Sequence, residues 1–507
     1  MVWNASRRRK PCLGRLGALS CWLALARPGI ALAQDPPGPQ AGDPAQSFER
    51  AFVPHDGGLT ARAVGRRAQT TSPDAIGRAS ELAAAEARVT QAAAGFLPRF
   101  SLSARLARLS AIPPDTVGNI VGTLQPGPVS VTCPSAPGTS GGQVSCNLAG
   151  RSVPLTFASV PHQYSLQASL SVPLSDYALR LSQNYAAASH AETAARHTEI
   201  AADLKAGRDA QVIFYSWVRA RGTAVVAEQA LATAQQHLKD ARSAVDAGTV
   251  SRADVLRVES QVAQSELLVE RARHLVELQT AQLRVVLHDD VDRGYELGDD
   301  LTSDPELTAG SLSELVAEAV AHRPELAAVE ETIHSLAGTA AAARAAYLPR
   351  VDAVANYYEQ NPNFRYFPVQ DAWHDTWDVG VQLSWTISDA AVTRGQVKEI
   401  EARAATSDAQ LAGLRDAVRV EVTQAYYAER DAHEALAATR RVLASSEEGY
   451  RVRRSLFLVG RGTSSELIDA ENELMRSRVD LLNARVDAFV ARLAIEHATG
   501  RDAHHIR

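Results

Sequence analysis

Few residues in this chain are spaced for covalent chemistry. It has no glycine-rich phosphate loop, no strand–turn–helix nucleophile elbow and no HExxH helix, and its fourteen histidines are scattered. His504-His505 reads as a solvated pair rather than a metal site. Cys12 and Cys21 lie near the start of the chain, while Cys133 and Cys146 share a Pro/Gly/Ser-rich stretch. In an oxidising compartment that second pair is expected to close a loop through a disulfide. Two thiols without a nearby His or further Cys make a poor metal site. The expectation is therefore no catalytic residue, no cofactor and no metal.

More informative are two short segments 212 residues apart, Ala247-Gly248-Thr249-Val250-Ser251 and Val459-Gly460-Arg461-Gly462-Thr463. Gly248 and Gly460 permit a tight reversal, and Ser251 and Thr463 can cap the helix that follows. Carboxylates come next, Asp254 after the first turn and Glu466 and Asp469 after the second. On their own, these read as solvated helix residues.

The elements that hold these turns form an internal repeat. Pro73 and Pro324 are 251 residues apart, as are Pro98 of Phe-Leu-Pro-Arg-Phe and Pro349 of Tyr-Leu-Pro-Arg-Val. Leu170-Ser171-Val172-Pro173-Leu174-Ser175-Asp176 matches Leu383-Ser384-Trp385-Thr386-Ile387-Ser388-Asp389 at an offset of 213. Glu259 matches Glu471 at 212. The fall from 251 to 213 places 38 extra residues in the first copy, an exposed loop that carries Cys133 and Cys146. Each copy reads as helix, strand, loop, strand, long helix, turn, helix. The organisation expected is a leader over 1–33, a flexible segment over 34–58, repeats over 59–300 and 301–500, and a tail over 501–507.

The strands alternate with period two. Tyr164, Leu166, Ala168, Leu170, Val172 and Leu174 face one way, as do Trp377, Val379, Val381, Leu383, Trp385 and Ile387. Phe100 to Leu106 alternates similarly, and Val351 to Tyr358 less strictly. Strands of about ten residues with one apolar and one polar face suit a membrane barrel. Trp373, Trp377, Trp385, Tyr357, Tyr358, Tyr366 and Phe367 would supply its interfacial aromatics. Four strands cannot close a barrel, because closure takes about eight, so copies must share one. Proline is absent from 177–246 and 390–459; seventy helical residues reach about 105 Å. The returning helices carry a heptad seam through Val255, Val258, Val262, Ser265, Val269, Ala272, Val276, Gln279, Leu283 and Val286. It recurs 212 residues on, from Leu467 to Ala498.

Arg7, Arg8, Arg9 and Lys10 before the apolar run Leu16–Ala26 read as a secretory signal, with Ala31-Leu32-Ala33 as its cleavage site. Lipidation at Cys21 is the alternative. No run of eighteen apolar residues occurs, so any crossing of a membrane must use strands. A net charge of −6 and a pI near 6.2 leave no basic footprint for nucleic acid.

Together these features resemble the TolC family of outer-membrane efflux proteins over roughly residues 60–500. The specific marks are the Leu-Pro entering the first strand of each copy, the Ser-Asp leaving the second, and Gly-x-x-(Ser/Thr) at each helical turn. The resemblance implies an α+β membrane protein, a homotrimer with a 12-stranded β-barrel built from four strands per chain. The barrel continues into a long periplasmic α-helical coiled-coil barrel. It also implies a periplasmic adaptor (membrane fusion) protein docking at the tips Gly248, Ser251, Gly460 and Thr463, and an inner-membrane ABC transporter or other pump. Glu466 and Asp469 would line the periplasmic entrance, and Asp254 would help latch it closed. The latch departs from the family pattern, with Phe457 where Tyr is common and Gly462 where Arg can occur. Within the family, the chain looks most like the type I secretion kind, CyaE-like, that passes a large RTX-toxin-like polypeptide. A small-molecule efflux duct is the alternative. A periplasmic adaptor, the rival of another class, would carry one hairpin between lipoyl-like β-rich halves, whereas here there are two hairpins and no such halves.

Overall fold

A computed structural model describes residues 53–110, 160–289, 294–367 and 369–502. The leader, Cys12, Cys21, Cys133, Cys146, their expected disulfide, most of the 38-residue insertion and His504-His505 lie outside the described residues.

The first repeat runs α1 (Ala61–Thr71), α2 (Pro73–Ala94), β1 (Arg99–Arg108), β2 (His162–Val172), α3 (Ser182–Asp246) and α4 (Arg252–Leu287). The second runs α5 (Leu312–His322), α6 (Pro324–Arg344), β3 (Arg350–Asn361), β4 (His374–Ser384), α7 (Ala390–Leu458) and α8 (Ser464–Thr499). Each copy thus opens with two short helices where the sequence reading had one. Pro73 and Pro324 do start helices, but Ser72 and Arg323 before them are extended, as a residue preceding proline tends to be. The prolines are therefore joints between α1 and α2 and between α5 and α6.

Residues 53–58 are the described end of the segment 34–58, and there His55 donates a backbone hydrogen bond to Leu297 at 2.7 Å; Leu59, the first residue of the repeat, donates to Glu296, also at 2.7 Å. Gly58 and Gly298 cross so closely that a Cβ on either would meet the other segment's carbonyl oxygen at 2.4 Å.

α3 has 65 residues and α7 has 69, each about 100 Å long. Their partners are stacked pairs of shorter helices. α2 lies along the sheet-proximal part of α3, and just beyond their sheet-side ends Tyr177 donates to the Phe96 carbonyl at 2.9 Å. α4 lies along the distal part, where Arg242 donates to Glu259 at 2.9 Å. The heptad seam is the buried stripe of α4, with Val258, Val262, Ser265, Val269, Ala272 and Leu283 all inside. α8 buries its matching seam and a second stripe containing Ile468, Leu482 and Val486, because it packs on α3 as well as α7. The largest core centres on Phe214, Trp217, Leu283 and Leu482, capped by Val64 of α1 and by Leu297 and Leu301 of the segment between α4 and α5. No helix among the described residues is long and apolar enough to cross a membrane.

Candidate functional site

The sheet is antiparallel in the order β1-β2-β3-β4, so β1 and β4 are its edges. Its register sorts the side chains into two opposed surfaces. Phe100, Leu170, Ala355 and Val379 form one row, and Leu102, Ala168, Tyr357 and Trp377 the next. Val172, Ala353 and Val381 continue the band in one direction; in the other it runs on through Ala104, Leu166, Leu106 and Tyr164 on β1 and β2 but gives way to Glu359 and Asp375 on β3 and β4. The opposite face carries Ser101, Ser103, Gln167, Ser169, Asn356, Asp378 and Gln382, joined by bonds such as Asn356 to Asp378 at 2.9 Å. Nothing among the described residues covers the apolar face: Leu102 is 74% exposed and Val379 72%. A soluble sheet would bury that face on helices. Here β4 is shorter at its end than its alternation suggested, stopping at Ser384 because 387–389 turn into α7.

At the far ends of the long helices, the two turns meet. Gly248 and Gly460 hold φ values of +73° and +70°, the left-handed region that glycine adopts without strain. Ser251 and Thr463 are N-caps, and both turns close a full capping box. The third-position acids of those boxes are Asp254 and Glu466, so each holds its own helix start. Arg257 donates to Ser465 at 2.7 Å and ties α4 to α8. Beneath the turns Ala241, Val258, Phe457, Leu467 and Ile468 form a small common core.

Glu466 and Asp469 share a groove of about 470 Å³ between α7 and α8, with Tyr450, Arg453 and Glu473 on its walls. The Thr463 backbone N–H, with help from Arg453 at 3.3 Å, holds the Glu466 carboxyl below the usual carboxylate range. Asp254 is not on this groove. It stands at the head of α4 and contacts Arg257 at 3.4 Å. Gly462 has a steric reason: a Cβ there would meet the Phe457 amide nitrogen at 3.1 Å. A side chain at that position would require the neighbouring backbone to shift by a few tenths of an ångström.

Sequence reasoning missed the buried polar centre under the tips. His237 of α3 is 2% exposed; its Nδ1 lies 3.2 Å from Glu471 of α8 and its Nε2 3.4 Å from Ser464 Oγ. Phe457 packs edge-on against the ring at 5.0 Å. The one available signal was Glu471 itself, the repeat partner of Glu259, placed beside the apolar seam of α8.

Residues 315–501 match the family model described as outer membrane efflux protein. The antibiotic efflux pump outer membrane protein ArpC of Pseudomonas putida is 21% identical over 291 residues, 57% of this chain and 58% of that protein. The chain thus spans a little over half the length of that relative. Among solved structures, the Campylobacter jejuni CmeC outer membrane channel superposes with a TM-score of 0.69 at 13% identity, covering 94% of this chain and 97% of that one. CusC, whose structures concern transmembrane channel formation, gives 0.68 at 16% identity over 92% and 98%.

Proposed function

We propose that this chain, residues 315–501 of which belong to the outer membrane efflux protein family, forms the outer-membrane duct of a tripartite export system as a trimer. The carrying observation is the sheet, which among the described residues has a bare apolar band on one face, a polar network on the other and two unpaired edges. Pairing β4 of one copy with β1 of the next removes every edge and turns the apolar band to lipid. Two copies would give eight strands, whose interior side chains fill; three give twelve and leave a water-filled lumen.

The helices support the same cyclic join. Leu256, Leu267 and Leu278 of α4 are 59%, 52% and 54% exposed. At the repeat position of Leu256, α8 has Ile468, only 8% exposed and covered within the chain. A neighbouring copy would cover α4 as α3 covers α8, through a heterologous interface that closes a ring.

In this reading the protein sits in the outer membrane and reaches into the periplasm. The tips at Gly248, Ser251, Gly460 and Thr463 receive a periplasmic adaptor, which connects the duct to an inner-membrane pump. Glu466 and Asp469 form acidic rings at the entrance, and Asp254 serves first as a cap. A passive duct needs no active site, because the pump supplies the energy. The name of the relative ArpC favours small toxic molecules as cargo over the large polypeptide of type I secretion.

The experiment is a deletion strain compared with its complemented parent. Accumulation of a fluorescent efflux dye is expected to rise on deletion. Loss of one large protein from the culture supernatant would instead assign a polypeptide cargo. If neither changes, the export reading fails.

A further inference from the structure

Away from both the sheet and the tips, three metal-ligating side chains converge between helices of different repeats. His190 comes from α3, and Glu331 and His334 come from one face of α6, three residues apart. His190 Nδ1 lies 2.6 Å from one Glu331 oxygen and His334 Nδ1 4.0 Å from the other. The two imidazole rings stand 5.2 Å apart, and one ligand atom from each residue falls within 4.8 Å of the others.

An ordinary His190–Glu331 pair explains only half of this arrangement, because it leaves the second imidazole on the same carboxylate without a role. We propose that His190, Glu331 and His334 form a site for a divalent transition cation that fastens α6 to α3. Bonds of about 2.0–2.2 Å in a tetrahedral site put neighbouring ligand atoms about 3.3 Å apart. The contacts to the two Glu331 oxygens measure 2.6 and 4.0 Å, and one ligand atom from each residue already lies within 4.8 Å of the others, a spread that binding an ion would draw in through side-chain rotation. Two imidazoles and one carboxylate suit Zn²⁺, Cu²⁺ or Ni²⁺ and discriminate against Mg²⁺ and Ca²⁺.

The backbone is already set for this. A Cβ on Gly338 would meet the Cβ of Ala187 at 3.1 Å and its nitrogen at 3.2 Å. The helices therefore touch one turn from His334 and from His190, which fixes their spacing at the cluster. The side chains of His190, Glu331 and His334 remain 43%, 26% and 60% exposed. That leaves the fourth position to water and makes the site exchangeable, unlike a closed structural zinc site. The cluster is not inherited from the duplication: Ser80 and Ala83 stand 251 residues before Glu331 and His334, and Arg403 stands 213 after His190. The proposal is independent of the export reading.

The test uses untagged, chelator-stripped full-length protein in detergent, carrying His504→Ala and His505→Ala to remove the tail pair. Titration calorimetry with Zn²⁺ is expected to give one saturable site per chain that excess Mg²⁺ does not displace. H190A/H334A is expected to abolish it, and the conservative E331Q to weaken it at least about tenfold. Co²⁺ is expected to give the visible bands of four-coordination, lost in E331Q, with helicity by circular dichroism unchanged. Absence of saturable Zn²⁺ binding, or binding unchanged in either variant, overturns the proposal.

Discussion

Arginine at Leu102 or Val379 is expected to destabilise the membrane-inserted protein by about 2–4 kcal/mol per chain, the cost of a cation on the lipid face near the bilayer midplane. Both residues lie in adjacent rows in the middle of the apolar band, flanked by Phe100, Tyr357 and Trp377. In a trimer the substitution occurs three times, so the assembled cost is roughly 6–12 kcal/mol, comparable to the whole stability of an ordinary domain. Ser103→Arg is the matched control. It lies one residue from Leu102 and opposite Gln167 on the polar face, where an added cation meets water. The measurement is the folded fraction in lipid vesicles against urea. Loss of folding in L102R and V379R with S103R near wild type is the expected pattern. Equal tolerance at all three positions would mean that the band does not face lipid.

Glu466→Gln combined with Asp469→Asn is expected to remove most of the cation preference of the closed entrance. In a trimer the pair strips six carboxylates from one constriction, and charge focused in such a cleft enriches counter-ions at least about tenfold. Glutamine keeps the acceptor oxygen that takes the Thr463 N–H at 3.1 Å, so the capping box survives and charge alone changes. Because the Glu466 carboxyl is held below the usual carboxylate range, its contribution to the proposed selectivity is expected to survive at lower pH than that of an ordinary carboxylate. Asp254→Asn, off the groove, is expected to matter far less. Reversal potentials across a salt gradient in planar bilayers read all of this. Wild-type values in E466Q/D469N would remove these residues from the permeation path.

The sequence was most legible where backbone geometry imposes a period. Alternation at Phe100–Leu106 and Trp377–Leu383 and the seam from Val258 to Leu283 follow from fixed side-chain directions in strands and helices, and each lies where its period put it. Boundaries were less legible. The pattern of β4 ran on through Trp385 and Ile387, yet the strand stops at Ser384, because alternation does not record where a ladder loses its partner. Pro73 and Pro324 marked helix starts without revealing the helices before them, since α1 and α5 are only 11 residues each. Pairings between distant segments left little trace. His237 and Glu471 are 234 residues apart, and the crossing of Gly58 with Gly298 joins a segment read as flexible to the linker between repeats. In the candidate site, the turns and caps were readable from residue type. The sharing of one groove by Glu466 and Asp469, with Asp254 outside it, depends on how α7 and α8 pack.

In the proposed duct, the four strands of each chain are one third of a barrel. Native mass spectrometry of the detergent-solubilised protein tests it most directly. Particles of three chains are expected, persisting at low protein concentration because β1 and β4 pair between copies in the proposed barrel. A monodisperse particle of one chain would contradict it.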